Sequence, residues 1–487
     1  MADRTELDTA PQVMLHLGLG SFHRAHQAVY QQALHDAGDL RWVLAGGNIR
    51  PDMAETVEAL HASGGAYTLE TVSPAGDRQY QRITAIRQVI RHDAELSGLV
   101  ACGASPATRI VSFTVTEAGY YLDANNRLDL NFADLAADVA ASRAGHPDPH
   151  LHPHPHPLTP TIYGALTAIL RARRAAGAGP LTLLNCDNLR HNGDRSRSGL
   201  LQFIELIGDA DLLAWVQAHT RSPNAMVDRI TPRPTVEVRD RVRAATGIDD
   251  PAALMGERFI QWVIEDRFAA GRPAWETVGV QMVESVDAYE EAKIRLLNAS
   301  HSAIAWAGTL LGLRYIHEGT RHPAIRQMAF DYVTDDVIPV LSPPGQPSPI
   351  DLPAYRDVVL ERFANAGVAD TNQRVAMDGF SKIPGFIVPT IRERLAQGAS
   401  IASVAMLPAL FLAYLQRWHR GRIPYTYQDQ AMDPAVAHAI CDAADPVAAF
   451  CADGPLWGPL AGDARLLAAL RLAALRVDQF IQTNPSP

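Results

Sequence analysis

The feature that most constrains the fold is a short segment near the amino terminus. An apolar run from Val13 to Leu17 ends in the turn Gly18-Leu19-Gly20, and the residues from Ala25 to Ala37 have a helical composition. A buried strand, a glycine turn and a helix, in this order, begin a doubly wound α/β sheet. The two glycines let the main chain approach a pyrophosphate closely. The segment therefore predicts a Rossmann-type domain that binds a dinucleotide, although His23 stands at the position of the third fingerprint glycine.

Three later apolar runs continue this pattern. They are predicted as strands and lie at Trp42 to Ala45, Arg109 to Thr116 and Leu181 to Leu184. Because such runs alternate with helical segments, they predict a parallel sheet that is buried on both faces. Ligands of such sheets bind beyond the carboxyl ends of the strands. We therefore expect the glycine turn and the polar segment from Asn185 to Asn188 to border a binding crevice.

The carboxyl-terminal part of the chain has a different character. Amphipathic stretches with helical periodicity follow one another at Tyr289 to Leu313, Ala324 to Val340, Ala354 to Ala364, Ile401 to Arg420 and Ala464 to Ile481. A chain of 487 residues exceeds what one hydrophobic core supports. We therefore predict an α/β, Rossmann-type doubly wound domain at residues 1–284 and a mainly α-helical domain at residues 285–487. Within the first, the His- and Pro-rich residues 144–160 are predicted to form a surface loop without a metal.

Composition narrows the possible partners. The formal net charge is −10, which disfavours a protein that binds nucleic acid through clustered cations. The chain has no run of about 20 apolar residues and no amino-terminal signal pattern, so we expect a cytoplasmic protein without a membrane partner. The four cysteines, Cys102, Cys186, Cys441 and Cys451, form no C-x-x-C pair and predict neither disulfides nor zinc. We expect a small-molecule substrate and a monomer or small homo-oligomer.

Lysine is rare in this chain. Of the 43 basic side chains, two are lysines, Lys293 and Lys382, and the remainder are arginines. Arginine replaces lysine wherever charge alone is required, but it keeps its proton at ordinary pH, whereas a buried lysine can lose it. The composition therefore indicates that at least one of the two lysines acts as an amine.

Lys293 stands in a cluster of polar residues within an apolar helix. On an α-helical wheel, the four side chains that fall within an arc of roughly 140° are Glu290, Lys293, Asn298 and His301. The following residues, Ala303 to Ala307, are apolar, which favours burial of the polar face. Four polar groups that face one buried region predict a chemical site.

The spacing K-x-x-x-x-N-x-x-H that begins at Lys293, together with the segment from Gly18 to His26, resembles the polyol-specific long-chain dehydrogenases, the mannitol dehydrogenase family. The resemblance extends along almost the whole chain and includes the segments Asn185 to Asn188, Met226 to Pro232, Asp370 to Arg374 and Asp378 to Lys382. Shorter segments are most similar to the arabinitol-oxidising branch of that family; they are Gly119-Tyr120-Tyr121, Gln261-Trp262-Val263 and Tyr425-Thr426-Tyr427-Gln428-Asp429. The His- and Pro-rich loop departs from the family pattern.

The resemblance implies a set of catalytic residues. Lys293 would be the general base, and Asn188 and Asn298 would donate hydrogen bonds to the substrate oxygen that becomes the carbonyl. His301 would hold a substrate hydroxyl. Further residues match positions that line the polyol pocket or pass protons to solvent; they are Asp228, Arg374, Lys382 and Glu290. Such an enzyme would need no metal.

The reaction that this resemblance implies is the oxidation of a sugar alcohol to a ketose. In the most similar branch the substrate is D-arabinitol and the product is D-xylulose. The alternatives within the family are mannitol 2-dehydrogenase and fructuronate reductase activity.

The predicted cofactor is NAD. The residues expected to bind it are Gly18, Gly20, Phe22, Arg24, Asp52 and Glu117. Asp52 lies beyond the second predicted strand, where a carboxylate accepts hydrogen bonds from the adenosine ribose and repels the 2′-phosphate of NADP. Arg50 would instead favour that phosphate, so the preference depends on which of the two side chains faces the ribose.

Two other interpretations remain open from the sequence. Tyr289 and Lys293 match the Y-x-x-x-K motif of short-chain dehydrogenases, in which tyrosine is the acid and base, but they lie much farther from the glycine turn than that motif does. A non-enzymatic regulator that binds NAD would share the amino-terminal turn, but no helix-turn-helix signal or basic patch supports it.

Overall fold

The computed structural model describes residues 10–115, 117–123, 126–143 and 160–484. The chain divides into two units, the first formed by Met1–Thr71 and Arg78–Asp287 and the second by Val72–Asp77 and Ala288–Pro487. Among the described helices, none has the length and apolar character needed to cross a bilayer. The predicted His- and Pro-rich loop lies, up to residue 159, outside the described residues.

The described strands all begin in the first unit. They are β1 (Gln12–Leu17), β2 (Trp42–Gly47), β3 (Tyr67–Val72), β4 (Arg78–Ile83), β5 (Ile86–Ile90), β6 (Thr108–Phe113), β7 (Leu181–Asn185), β8 (Thr220–Arg221), β9 (Ala225–Asp228), β10 (Leu254–Glu257), β11 (Gln261–Glu265) and β12 (Gln281–Val283). The main sheet has the order β5-β2-β1-β6-β7-β8, and its neighbouring strands run parallel. The chain leaves β1 toward β2 and later passes to β6 on the other side, so the switch point of the sheet lies between β1 and β6. The predicted Rossmann-type α/β domain is confirmed, and all four predicted strands are present.

Alternate side chains of the central strands enter different hydrophobic clusters. Met14 belongs to one cluster with Leu44, whereas Leu15 belongs to the other with Val111. Because both faces of the sheet are covered, these strands carry apolar side chains on both sides. The helices of this unit are α1 (Ser21–Ala25), α2 (Gln27–Asp36), α3 (Ala54–Ala62), α4 (Ser97–Ala104), α5 (Ala133–Arg143), α6 (Ile162–Ala175), α7 (Asn192–Ile207), α8 (Ala210–His219) and α9 (Val236–Thr246).

Two three-stranded sheets in the first unit were not predicted. One has the order β10-β3-β4 and the other the order β12-β11-β9. Strands β9 to β12 have three to five residues each and β4 is largely polar, so these two sheets lack apolar runs as long as those that identified the main sheet. The second small sheet carries Asp228, a predicted site residue, as the last residue of β9.

The helix predicted from Ala25 to Ala37 is interrupted. Helices α1 and α2 meet at His26, which has φ −125° and ψ −84°. The His26 ring lies 2.8 Å from the Gln261 carbonyl oxygen and packs edge-on against Trp262. These contacts with a strand far along the chain favour the break over the local helical propensity.

The second unit is helical, as predicted. Its α-helices are α10 (Asp287–Ala292), α11 (Ala299–Leu310), α12 (Ile316–Arg321), α13 (Pro323–Asp331), α14 (Ile338–Leu341), α15 (Leu352–Phe363), α16 (Asn372–Ala376), α17 (Gly379–Lys382), α18 (Val388–Ala396), α19 (Met406–His419), α20 (Pro434–Asp442), α21 (Pro446–Cys451), α22 (Gly454–Trp457) and α23 (Ala464–Thr483). The five long amphipathic stretches predicted from the sequence are each largely helical here, although α19 begins at Met406 and not at Ile401.

Three π-helical turns interrupt these α-helices, at Lys293–Asn298, Tyr332–Val337 and Ile383–Ile387. The first turn contacts both of the others. In an α-helix the step from Lys293 to Asn298 would rotate by about 140°. In a π-helix residues five apart are hydrogen-bonded neighbours on successive turns, so both side chains emerge on the same side. The α-helical wheel therefore overestimated the separation of these two residues.

Candidate active site

A cavity of about 440 Å³ lies at the carboxyl ends of β1, β2 and β6. Its lining includes the glycine turn, residues 48–50, 52 and 53 after β2, and Thr114 and Val115 after β6. This is the edge of the sheet at which doubly wound folds bind ligands. Three of the residues predicted to bind the cofactor line it: Gly18, Gly20 and Asp52.

The two turn glycines have different roles. Gly18 has a φ of +120°, which side-chain-bearing residues rarely adopt, and it lies against Thr114. Gly20 has an ordinary φ of −66°, but a Cβ atom there would meet no protein atom within 4 Å. Because the main chain at Gly20 is uncovered, a diphosphate can approach its amides closely, and the turn fits a dinucleotide.

Asn48 joins the glycine turn to the segment after β2. Its Oδ1 accepts a hydrogen bond from the Leu19 N–H at 2.7 Å, and its Nδ2 donates to the Asp52 carbonyl oxygen at 3.0 Å. The side chain is buried. Asn48 therefore fixes the distance between the two segments that line the cavity.

Asp52 and Arg50 both line the cavity, so both side chains are placed where an adenosine ribose would bind. The Arg50 guanidinium donates to the Tyr121 hydroxyl at 3.0 Å and lies 3.9 Å from the Asp134 carboxylate. Asp52 is exposed. The Arg50 side chain therefore contacts the part of the cavity wall formed by Tyr121 and Asp134.

The described lining of the cavity does not include Phe22 or Arg24, which were predicted to bind the cofactor. Phe22 stacks on the His26 ring at 5.0 Å. Arg24 is buried and donates to the carbonyl oxygens of Leu19 and Ala252 at 3.1 and 2.5 Å. Arg24 therefore supports the glycine turn from within the protein. The Glu117 side chain lies outside the described residues.

The loop after β7 carries Asn188, which is exposed. Asn185 fixes the beginning of this loop, because its Oδ1 accepts from the Asp187 N–H at 2.8 Å. The Asp187 carboxylate accepts from the Val115 N–H at 3.0 Å and from the Tyr120 hydroxyl. Burial raises the pKa of Asp187 to about 7, although the hydrogen bond from Tyr120 opposes that shift.

Asp228 lies on a strand that is joined to the Asn188 loop. Asn192 makes this connection, because its Nδ2 donates to the carbonyl oxygens of Asp187 and Ala225 at 2.8 and 2.7 Å. Its Oδ1 accepts from the Ala225 N–H at 2.9 Å. One buried amide therefore holds two segments that carry predicted site residues of the first unit.

In the second unit, Lys293 begins the first π-helical turn and Asn298 ends it. Lys293 and Glu290 are 6% and 4% exposed, so the polar face of this apolar helix is buried. Desolvation disfavours the charged form of a buried amine, and a neighbouring carboxylate favours it. The turn therefore presents a buried amine and an amide on one side of the helix.

His301 lies next to a carboxylate that the sequence analysis did not assign. Its Nε2 is 3.5 Å from the Asp370 carboxylate, and its ring stacks on Phe363 at 4.2 Å. Burial lowers the pKa of His301, and Asp370 opposes this shift. Although burial alone would raise the pKa of Asp370, the adjacent His301 ring and the hydrogen bonds from Arg374 hold this pKa well below its usual range. Asp370 thus orients both His301 and Arg374.

Lys382 ends the short helix α17, and its Nζ donates to the Val375 carbonyl oxygen at 2.7 Å. Burial lowers the pKa of Lys382 to about 8. The Tyr427 hydroxyl accepts from the Gly379 N–H at 3.1 Å, and the Asp429 carboxylate accepts from the Phe380 N–H at 2.8 Å. These two side chains cap the helix that carries Lys382.

Comparison with known families settles the classification. Residues 12–277 match the model of the mannitol dehydrogenase Rossmann domain, and residues 285–476 match that of the mannitol dehydrogenase C-terminal domain. The chain belongs to the mannitol dehydrogenase family. It is accordingly an oxidoreductase, and the family predicted from the motifs is confirmed.

Relatives within the mannitol dehydrogenase family match over most of their length. A D-arabinitol 4-dehydrogenase of Ralstonia nicotianae is 58% identical over 480 residues, which cover 98% of each chain. A D-arabinitol 4-dehydrogenase of Klebsiella pneumoniae is 52% identical and covers 94% of this chain and 96% of its own. A mannitol 2-dehydrogenase of Cereibacter sphaeroides is 39% identical and covers 82% of this chain and 80% of its own.

Two solved structures of similar proteins share the fold. Mannitol 2-dehydrogenase of Pseudomonas fluorescens, in a ternary complex with NAD and D-mannitol, has a TM-score of 0.78 and 35% identity and covers 98% of this chain and 94% of its own. A D-sorbitol dehydrogenase in substrate-free form has a TM-score of 0.84 and 30% identity, and the match covers 97% of this chain and 94% of its own.

In this member of the mannitol dehydrogenase family, the predicted site residues divide between the two units. The first holds the glycine turn, Asn188 and Asp228, and the second holds Glu290, Lys293, Asn298, His301, Arg374 and Lys382. Sequence reasoning missed Asn48, Tyr120, Asp187 and Asp370. A signal was present for two of them, because Asn48 and Asp187 are polar residues directly beyond predicted strands.

Proposed function

We propose that this enzyme oxidises the secondary hydroxyl of a polyol to a ketone with NAD, and that its substrate is D-arabinitol and its product D-xylulose. The observation that supports this most directly is Lys293, one of two lysines in the chain, buried at the start of a π-helical turn with Asn298 on the same side. The 58% and 52% identity to D-arabinitol 4-dehydrogenases favours arabinitol over mannitol.

The cofactor proposal depends on the cavity of the first unit. Gly18 and Gly20 would hold the diphosphate and Asp52 the adenosine ribose, and the bound nicotinamide would supply the hydride acceptor. The similar mannitol 2-dehydrogenase was solved with NAD, which supports a nicotinamide cofactor here. We propose that the two units divide the work, with the first binding the cofactor and the second supplying the base.

In the proposed reaction Lys293 removes the proton of the reacting hydroxyl, while hydride leaves the carbon that bears this hydroxyl. Its amine must be neutral to do this, which burial promotes and Glu290 opposes. Glu290 would pass the proton onward. The side-chain amides of Asn188 and Asn298 would donate to the oxygen as negative charge develops, a type of stabilisation that contributes about 3 to 4 kcal/mol per donor.

The remaining hydroxyls of the polyol would bind to the polar groups nearby. His301 is held by Asp370, and Lys382 by Val375, so both present fixed hydrogen-bonding atoms. Arg374 and Asp228 would add a donor and an acceptor. Because side chains supply every charge in this scheme, we propose that it proceeds without a metal, and EDTA should leave activity unchanged.

A panel of polyols assayed for NADH formation tests the substrate. We expect D-arabinitol to give the highest kcat/KM, and a higher value for D-mannitol would assign the enzyme to the mannitol 2-dehydrogenases.

Lys293→Ala should lower kcat/KM by about 10³-fold or more, because the base is lost, while the Kd for NADH changes by less than about threefold. The matched variant Tyr289→Phe should keep its activity. An inactive Tyr289→Phe with an active Lys293→Ala would favour the short-chain mechanism.

A further inference from the structure

The described contacts that hold the loop of Asn188 include two sets with different partners. Neutral amides form the first set, in which Asn185 and Asn192 connect the loop to itself and to β9. The second set involves a carboxylate. Asp187 accepts from the Val115 N–H and the Tyr120 hydroxyl, both of which lie in the segment after β6.

Tyr120 is placed to make this connection rigid. It is 2% exposed, and its hydroxyl both donates to Asp187 and accepts from the Asn185 amide at 2.5 Å. Its own carbonyl oxygen accepts from the Tyr163 hydroxyl at 3.1 Å. A buried hydroxyl that uses a donor and an acceptor site is costly to remove, because its partners lose hydrogen bonds that water does not replace.

The segment tied in this way is a wall of the cofactor cavity. Val115, Gly119 and Tyr121 all line the cavity and flank Tyr120 in the chain. The loop of Asn188 and the wall of the cavity are therefore joined through one carboxylate and one hydroxyl. Neither group lines the cavity, as far as the chain is described, so neither is explained by direct binding there.

We propose that Tyr120 and Asp187 form a clamp that sets the position of Asn188 relative to the bound cofactor. This inference rests on the proposed function, in which Asn188 donates to the reacting oxygen. Tyr120 and Asp187 are positioning residues. A misplacement of about 1 Å in such a site can cost about 10²-fold in rate, so loosening the clamp should affect catalysis more than binding.

A double-mutant cycle of Tyr120→Phe and Asn188→Ala tests the clamp. We expect Tyr120→Phe to lower kcat for D-arabinitol by about 10- to 100-fold, with smaller changes in KM and in the Kd for NADH. In the Asn188→Ala background, Tyr120→Phe should lower kcat by less than about threefold, because the amide donor that Tyr120 positions is already gone. The matched control is Tyr30→Phe, which removes the hydroxyl of another buried tyrosine of the first unit, in α2, and should leave kcat near that of the wild type.

Two results would overturn the clamp, and they differ in what they say about the reaction. If Asn188→Ala is strongly impaired but the two losses multiply, Tyr120 acts independently of Asn188 and the proposed function stands. If Asn188→Ala retains the wild-type kcat, the role of Asn188 itself is wrong. Should Tyr120→Phe not fold, Asp187→Asn takes its place in the cycle, because it keeps an acceptor for the Val115 N–H and removes the charge.

Discussion

Lys382 is one of two lysines in the chain, and its surroundings make its protonation sensitive to pH near neutrality. Burial lowers the pKa of Lys382 to about 8, which Asp378 opposes and Arg374 reinforces. An unfolded lysine has a pKa of about 10.4, so between about pH 8 and pH 10 the folded state binds fewer protons than the unfolded state. The contribution of Lys382 to stability therefore rises with pH across this window, while its capacity to donate hydrogen bonds falls.

The KM for the polyol should consequently increase as the pH passes through about 8. Lys382→Arg keeps its charge throughout this range, so its KM should be higher at neutral pH but should not rise further near pH 8. Steady-state kinetics with saturating NAD from about pH 6.5 to 9.5 measure this. Arg392→Lys, which places an ordinary lysine at an exposed site, serves as the control. A rise in KM near pH 8 that persists in Lys382→Arg would contradict the assignment.

At the level of residues, the sequence revealed the rare side chains and missed their partners. Lys293 and Lys382 stood out because lysine is almost absent from the chain. Asp187 and Asp370 did not, because carboxylates are common and their importance comes from contacts with Tyr120 and His301, which lie far away in the chain. Such contacts exist only after folding.

The elements of the first unit were predictable where burial imposed a pattern. The central strands carry apolar side chains on both covered faces, whereas strands β9 to β12 are short and β4 is largely polar. The break between α1 and α2 arises from contacts of His26 with β11, which no local pattern contains. The π-helical turns were missed because apolar periodicity over one turn does not distinguish them from an α-helix.

The glycine turn allows a test at the scale of a single element. Gly20→Ala should leave the melting temperature nearly unchanged, because φ is −66° and the added methyl group meets no protein atom within 4 Å. The methyl group would occupy the space proposed for the diphosphate, so the Kd for NADH should rise by tenfold or more. Gly454→Ala, at another helix start with open space around it, is the matched control. Unchanged NADH affinity in Gly20→Ala would place the diphosphate elsewhere.

At the scale of the whole molecule, each of the two units is formed mainly by one part of the chain. Apart from Val72–Asp77, which belongs to the second unit, the Rossmann unit comes first and the helical unit second, and the family models match them in turn. The sequence identified both because their periodicities differ: apolar runs of strand length dominate one, and long amphipathic stretches dominate the other. It did not reveal which side chains of one segment hold another in place.

Hydrogen exchange on the full chain should show where the cofactor binds. With saturating NAD we expect slower exchange in the glycine turn, in residues 48–53 and around Val115, because these segments line the cavity. Exchange in α23 (Ala464–Thr483) should stay unchanged and is the internal reference. NADP at the same concentration should protect these segments less, because Asp52 would repel its 2′-phosphate. Equal protection by both dinucleotides would show that Asp52 does not select between them.

The π-helical turn at Lys293–Asn298 also changes the directions in which residues before and after it point around the helix axis. A helix that takes one residue more than usual to close a turn contains, in effect, an insertion, and the residues after it are out of phase with those before it by about 100°. In an unbroken α-helix the eight steps from Lys293 to His301 would leave these two residues about 80° apart around the axis, whereas the π-helical turn brings them within about 20° of each other. The same residues in an unbroken α-helix would therefore keep every chemical group of the motif and lose their common direction.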